Sequence, residues 1–410
     1  MKKKRRIKKS IKICFIFIIL IALTIVSYWI INKNGGKDFN FNKFVNENKI
    51  TYPIVNKISL VATGDALLHN PVYISAYDNS TESFNFAPQL ELVKEEIKNY
   101  DIKYYNQETV FGGKLTDRFN CKYNIPGYCS YPYFNSPSEF GDAMVDAGFN
   151  MISLASNHSA DCTYASDTCI TNSYNYWKSK NVVFDGFNED ESKENKYNIG
   201  EKNGIKYGFL NYTNTLNGLD NSVSNIKYKI DLYDEETAKK EIEDLKTKVD
   251  VVIVAMHWHK ASAEYETVPT QANKEIANYL ASLGVDIILG TYSHCLQPFD
   301  IIGNTVVFYS LGNFISNQGD IISIGYKGIV GVLASMDITK TTYEDGSVEV
   351  KVDNLGADLT YTYNKNHRDY KVIPFSKMSE EYNKDYKNIY EDYKNILTSL
   401  NQNINVKPVN

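Results

Sequence analysis

Apolar residues recur along this chain in two spacings. Short strand-like runs cover Ile58–Asp65, Met151–Leu154, Val182–Phe184, Tyr207–Leu210, Val249–Met256, Asp286–Leu289 and Thr305–Tyr309. Helical spacing appears between them. Pro88–Asn99 carries Leu90, Val93 and Ile97 on one face, behind a proline at a permissible start. Ser138–Ala147 stops at Gly148, and Thr270–Leu283 stops at Gly284. Ile170–Lys180 and Thr237–Thr247 are further helices. Strand alternating with helix predicts an α/β domain. Asn203-Gly204 and Gly303-Asn304 read as hairpin turns before Ile205–Asn211 and Thr305–Tyr309, and Asp345-Gly346 marks a third pair, so the sheet content is mixed. Lys377–Leu400 reads as a packed terminal helix through Tyr382, Tyr386, Tyr390, Tyr393 and Leu397.

The N-terminus departs from this pattern. Residues 1–12 hold eight Lys or Arg and no acid, which leaves 36 bases against 49 acids, a formal charge of −13, in the remainder. Ile13–Ile31 follows with 19 uncharged residues, near the length of a membrane-spanning helix. The expectation is a cytoplasmic basic segment (1–12), a transmembrane signal anchor (13–31), a polar linker (32–56), a main domain (57–375) on the outside of the cell membrane and a C-terminal helical tail (376–410). A cleaved signal peptide is the alternative, but no small-x-small site follows the run. The acidic bulk argues against nucleic acid as a partner. Cys121/Cys129 and Cys162/Cys169 are close pairs in polar loops, read as local disulfides or as unpaired loop thiols. Cys295 reads as a buried small hydrophobe, and no cysteine spacing suits zinc.

Five apolar runs end on a residue able to bind metal: Ile58–Asp65, Ile102–Glu108, Phe149–His158, Val249–His257 and Val285–His294. Strand ends deliver side chains to one rim of a sheet, where ligand sites collect. Asp65 is either a hard ligand, with His69 as an additional one, or the cap of a turn. Glu108 is a ligand or a solvated loop acid. Asn157 is a ligand through its amide oxygen or a capping residue. His158 is a candidate proton donor, oriented by Asp161, or a surface histidine. Alternation puts His257 and His259 on one strand face and Trp258 on the other, with His257 favoured as a ligand. His294 is a ligand or a satisfied structural histidine.

Taken together, these segments resemble the CapA family, named for poly-γ-glutamate capsule synthesis, which has a calcineurin-like metallophosphoesterase-type fold. The matching pieces are Thr63-Gly64-Asp65, Asn106-Gln107-Glu108, Ala155-Ser156-Asn157-His158, His257-Trp258, Gly290-Thr291 to His294 with Gln297-Pro298, and Tyr309-Ser310-Leu311-Gly312-Asn313-Phe314. The resemblance implies a two-sheet mixed β sandwich flanked by helices. It also implies one or two divalent cations, with Mn, Zn and Fe as candidates. Asp65 and His294 would hold one, Asn157 and His257 the other, and Glu108 would bridge, with His158 as the acid. Tyr292 stands where the family carries a histidine, so Tyr292 and His259 are further candidate ligands. The implied function is a metal-dependent hydrolase acting on an anionic surface polymer or its precursor, beside membrane synthase or export subunits. The alternative is a non-catalytic assembly or export subunit with a degenerate metal site. A simple polymer-binding module sits poorly with the charge of −13.

Overall fold

Asp65, Glu108, His257 and His294 all lie at or just beyond the C-terminal ends of parallel strands, and two sheets carry them. A computed structural model describes residues 52–114, 125–162, 167–191, 198–259, 264–321 and 324–409. The chain divides into two units, Met1–Ile54 and Val55–Asn410, and the second contains all four of these residues.

The strands, in chain order, are β1 (Ile54–Ala66), β2 (Tyr77–Asp78), β3 (Ser83–Phe84), β4 (Ile102–Gln107), β5 (Met151–Ser153), β6 (Val183–Asp185), β7 (Asn198–Lys202), β8 (Ile205–Thr213) and β9 (Val251–His257). Then come β10 (Ile287–Thr291), β11 (Phe299–Ile302), β12 (Thr305–Phe308), β13 (Asn313–Ile315), β14 (Val330–Thr342), β15 (Val348–Tyr363), β16 (Lys371–Pro374) and β17 (Asn405–Val406). One sheet runs β16-β15-β14-β1-β4-β5-β6, with β13 beside β1 and β17 beside β15; the other runs β11-β12-β10-β9-β8-β7. Both are mixed, as the hairpin signals predicted. The β7–β8 turn uses Asn203 and Gly204 with φ of 48° and 76°. The β11–β12 turn is Gly303-Asn304, with Gly303 at φ 62°. Positive φ is costly for most residues, and Asn and Gly tolerate it best.

The two sheets pack face to face. Ile58, Leu60 and Ala62 of β1 meet Phe209 of β8, Ile253 and Ala255 of β9 and Leu289 of β10 in one buried cluster. Residues of opposite parity face outward. Val61 packs with Val93 and Ile97 of the helix Ala87–Ile97. Val252, Val254 and Met256 pack with Ile242 of the helix Glu235–Leu245 and Ile276 and Leu280 of the helix Gln271–Ser282. Period-two alternation on strands buried on both faces thus builds the sandwich of two sheets between helices. Helix boundaries follow the local chemistry. Asp234 and Thr270 accept N-cap bonds from Thr237 N and Asn273 N, and Gly148 closes Glu139–Ala147 in the left-handed region, φ 104°. The helix Tyr386–Leu397 buries Tyr386, Ile389, Tyr390, Tyr393 and Leu397.

The sequence reading is corrected at the membrane. Among the described residues no helix is long and apolar enough to cross a bilayer. The run 13–31 lies outside the described residues. The expected anchor, membrane partner and single-pass location thus find no support among the described residues. The tether read at 32–56 also lies largely outside them, and β1 already begins at Ile54.

Cys162 and Cys169 form a disulfide, as one of the two readings expected. Cys129 is also disulfide-bonded, while Cys121 lies outside the described residues. Both sulfurs of Cys162–Cys169 press on Gly112, where a Cβ would meet them at 2.8 and 2.5 Å, four residues beyond Glu108. Closing so short a loop stabilises by roughly 2–3 kcal/mol. Cys162→Ser with Cys169→Ser should lower the unfolding free energy by about that amount in urea titrations.

Candidate metal centre

Parallel register places the ligands. Asp65 pairs with Asn106 of β4 and with Asn313 of β13, while Thr291 of β10 and Thr213 of β8 flank His257. Asp65, Glu108 and His294 are all buried, and one ligand atom from each lies within 4.8 Å of the others. His294 Nε2 stands 3.7 Å from Glu108 Oε1, and its Nδ1 stands 3.4 Å from Asp65 Oδ2. This cluster forms a plausible site for a divalent cation.

A hydrogen-bond network orients it. Asn313 Nδ2 donates to Ser316 Oγ, Gln318 Oε1 and the Gly328 carbonyl, so its Oδ1 is the atom that faces His294 Nδ1 at 3.1 Å. Nδ1 must then carry a proton, and Nε2, on the Glu108 side, is the nitrogen that can give up its own to a cation. Ser153 Oγ donates to Asn106 Oδ1, so Asn106 Nδ2 donates to Asp65 Oδ1 at 2.7 Å. The same Nδ2 lies 3.3 Å from His257 Nδ1, and Thr291 Oγ1 lies 2.9 Å from it.

The donor set fits a cation. Both Glu108 oxygens are buried with no hydrogen-bond partner among the described residues. Burial pushes this carboxyl up to about 8, against the pull of His294. His294 is held at about 9: burial opposes the charge, and Glu108 and Asp65 restore it. Asp65 stays below the carboxylate range, because bonds and charge from His294 and His257 outweigh its burial. A lone buried carboxylate of this kind holds its charge when a cation sits beside it.

The remaining expected residues fall into three places. Asn157 Oδ1 and His257 Nε2 meet at 2.9 Å, with Nε2 3.9 Å from Glu108 Oε1, and burial pushes His257 down to about 3. His158 Nδ1 binds Asp161 Oδ2 at 2.6 Å, the same oxygen accepts from Phe134 N, and His158 Nε2 faces Glu108 Oε1 at 3.9 Å. Burial works against protonating His158, and Asp161 overcomes it, so its pKa lies above the ordinary value. His69 does not join the cluster. Its Nδ1 lies 3.2 Å from both the Leu67 carbonyl oxygen and Asn317 N, and its ring stands edge-on to Phe134, which in turn packs on His158. His259 Nδ1 and Tyr292 OH bond each other at 2.5 Å. Sequence reasoning missed the roles of Asn106 and Asn313, whose only signal was their place inside the Asn-Gln-Glu and Gly-Asn pieces.

A buried Asp/Glu/His cluster at the strand ends of a two-sheet α/β sandwich forms a candidate metal centre. The chain belongs to the family of the bacterial capsule synthesis protein PGA_cap, whose profile matches residues 59–318. It is 28% identical over 175 residues to the PGA biosynthesis protein CapA of Bacillus subtilis, covering 42% of this chain and 44% of that one. It is 24% identical over 240 residues to the capsule biosynthesis protein CapA of Bacillus anthracis, covering 56% of each. The chain thus spans about half the length of these curated relatives. A calcineurin-like phosphoesterase from Bacillus subtilis superposes with a TM-score of 0.42 at 14% identity, over 83% of this chain and 97% of that one.

Proposed function

We propose that this chain is a metal-dependent hydrolase or transferase of capsule-polymer synthesis, acting on a phosphoryl or amide bond of an anionic polymer or its precursor. The orphaned, buried Glu108 carboxylate between His294, His257 and His158 is the observation that carries this reading. Asp65, Glu108 and His294 would hold one cation, and Asn157 with His257 would offer a second position beside it. A bound divalent cation supplies Lewis acidity and a water acidic enough to react near neutral pH. It also gives an anionic substrate a counter-charge in an acidic chain.

The protein's own part lies in a proton and its placement. Asp161 takes the Nδ1 proton of His158 in a hydrogen bond, which leaves Nε2 facing the Glu108 side of the site. With its pKa raised, the imidazolium is available to protonate a departing oxygen or nitrogen. Phe134 packs edge-on against this ring and fixes its plane. His158→Ala should cut turnover of a phosphodiester or γ-glutamyl amide substrate about 10²–10⁴-fold while cation content is retained. Equal turnover in the variant would remove His158 from the mechanism. The His259–Tyr292 bond occupies both side chains that could complete the second position, which favours a non-catalytic capsule-assembly role as the other reading. Metal binding without turnover would select it.

A further inference from the structure

Glu264 lies outside the three-residue cluster, yet the site is built around it. The orientation imposed by Asn313 makes His294 Nε2 the atom that can present a lone pair to a cation. Two carboxylates face that atom: Glu108 Oε1 at 3.7 Å from the buried side and Glu264 Oε1 at 3.9 Å from the solvent side. Ligand atoms bound about 2.1 Å from one divalent cation stand roughly 3–4 Å apart, so each carboxylate taken with Nε2 falls within that span, and a small inward shift of Glu264 would bring it to the compact Asp65–Glu108–His294 set. Glu264 also acts electrostatically on Glu108, Tyr292 and His259, the groups that ring the same space. The backbone that follows it is hydrogen-bonded to the site. Tyr265 N donates to the Ser293 carbonyl, and Gln297 Nε2 donates to the Glu266 carbonyl, tying this segment to the turn that carries His294. Tyr265 stacks on the His294 ring. The side chain keeps 40% of its surface exposed, so its carboxylate can shift toward Nε2 without disturbing the core.

We propose that Glu264 is an additional metal ligand, closing the cation site from the solvent side opposite Glu108. The proposal rests on the metal-centre reading and concerns only which residues hold the ion. A third carboxylate beside Asp65 and Glu108 neutralises a divalent charge in excess, which favours hard oxygen-preferring cations such as Mn²⁺.

The test is calorimetric titration of Mn²⁺ and, separately, Zn²⁺ into the metal-free full chain, its Glu264→Gln variant and its Glu264→Ala variant. The Mn²⁺ complexes are also compared by electron paramagnetic resonance. Loss of a charged ligand should raise the Mn²⁺ Kd by about tenfold or more in both variants and alter the Mn²⁺ spectrum. Metal-free melting temperatures should match the wild type, as expected at a half-exposed side chain. Wild-type Kd and spectrum in Glu264→Gln would overturn the assignment while leaving the metal centre standing. Absence of Mn²⁺ and Zn²⁺ binding by the wild type would overturn both.

Discussion

Glu108→Gln should abolish the metal-dependent stabilisation of the folded chain and leave the metal-free protein at least as stable as the wild type. Glutamine keeps the shape of the side chain and removes the charge that a cation would answer. At a cation concentration a hundredfold above Kd, binding to the native state adds about 2.7 kcal/mol, and the variant should lose all of it. The metal-free behaviour has its own sign. The folded pKa of Glu108 is raised from 4.5 to about 8 by burial, so the native state binds the proton more tightly than the unfolded chain does. That contribution to stability is present at low pH and is lost as pH rises from about 4.5 to about 8. Glu108→Gln should therefore flatten the pH dependence of metal-free stability across this window. Urea titrations at several pH values, with and without Mn²⁺, measure both effects. Unchanged metal content in the variant would show that Glu108 is not a ligand and that the cation, if bound, sits elsewhere.

The candidate ligands were legible in the sequence because strands have one direction and one rim. Asp65, Glu108, His257 and His294 each follow an apolar run; parallel pairing within each sheet and packing of the two sheets face to face bring them together. The alternation that put His257 and Trp258 on opposite faces also held: Trp258 joins the helix-facing cluster and donates to the Tyr309 carbonyl. What the sequence hid were distances set by hydrogen bonds between segments far apart in the chain. Asn313 reaches His294 only because β13 lies beside β1, a pairing that no local pattern announces. Glu264 stands in a polar stretch with neither strand nor helix spacing, so periodicity could not mark it. His69 has suitable spacing from Asp65, and its Nδ1 lies 3.2 Å from both the Leu67 carbonyl oxygen and the Asn317 amide nitrogen. The anchor at 13–31, expected from an uncharged run behind a basic flank, lies outside the described residues, which contain no membrane-crossing helix.

Gly64→Ala should be the most damaging single methyl in the domain. A Cβ at Gly64 would sit 1.8 Å from the Gly312 carbonyl oxygen, 2.9 Å from Gly312 C and 3.1 Å from Leu311 C. All three are backbone atoms, so no side chain can swing aside. The turn they belong to is itself confined: Gly312 has φ 68°, and a Cβ there would meet the Val330 carbonyl at 2.7 Å. Relief therefore requires β1 to part from the Ser310–Asn313 turn, which breaks the bond from Asp65 N to the Gly312 carbonyl, 3.0 Å long. Overpacking of this kind costs about 1–3 kcal/mol or more, and a buried amide left unpaired adds about 1–3. A loss of roughly 3–5 kcal/mol in unfolding free energy is expected, together with a fall in metal affinity. The coupling has a structural cause. The same turn carries Asn313, which sets the tautomer of His294, and the same strand carries Asp65, so parting the two separates both ligands from their orienting partners. Gly218→Ala is the control, since nothing lies within 4 Å of a Cβ there and only its φ of 80° is strained. Denaturant titration with parallel metal analysis measures both quantities. A Gly64→Ala protein as stable as the control and fully loaded with metal would show that the close approach of β1 to this turn does not hold the site together.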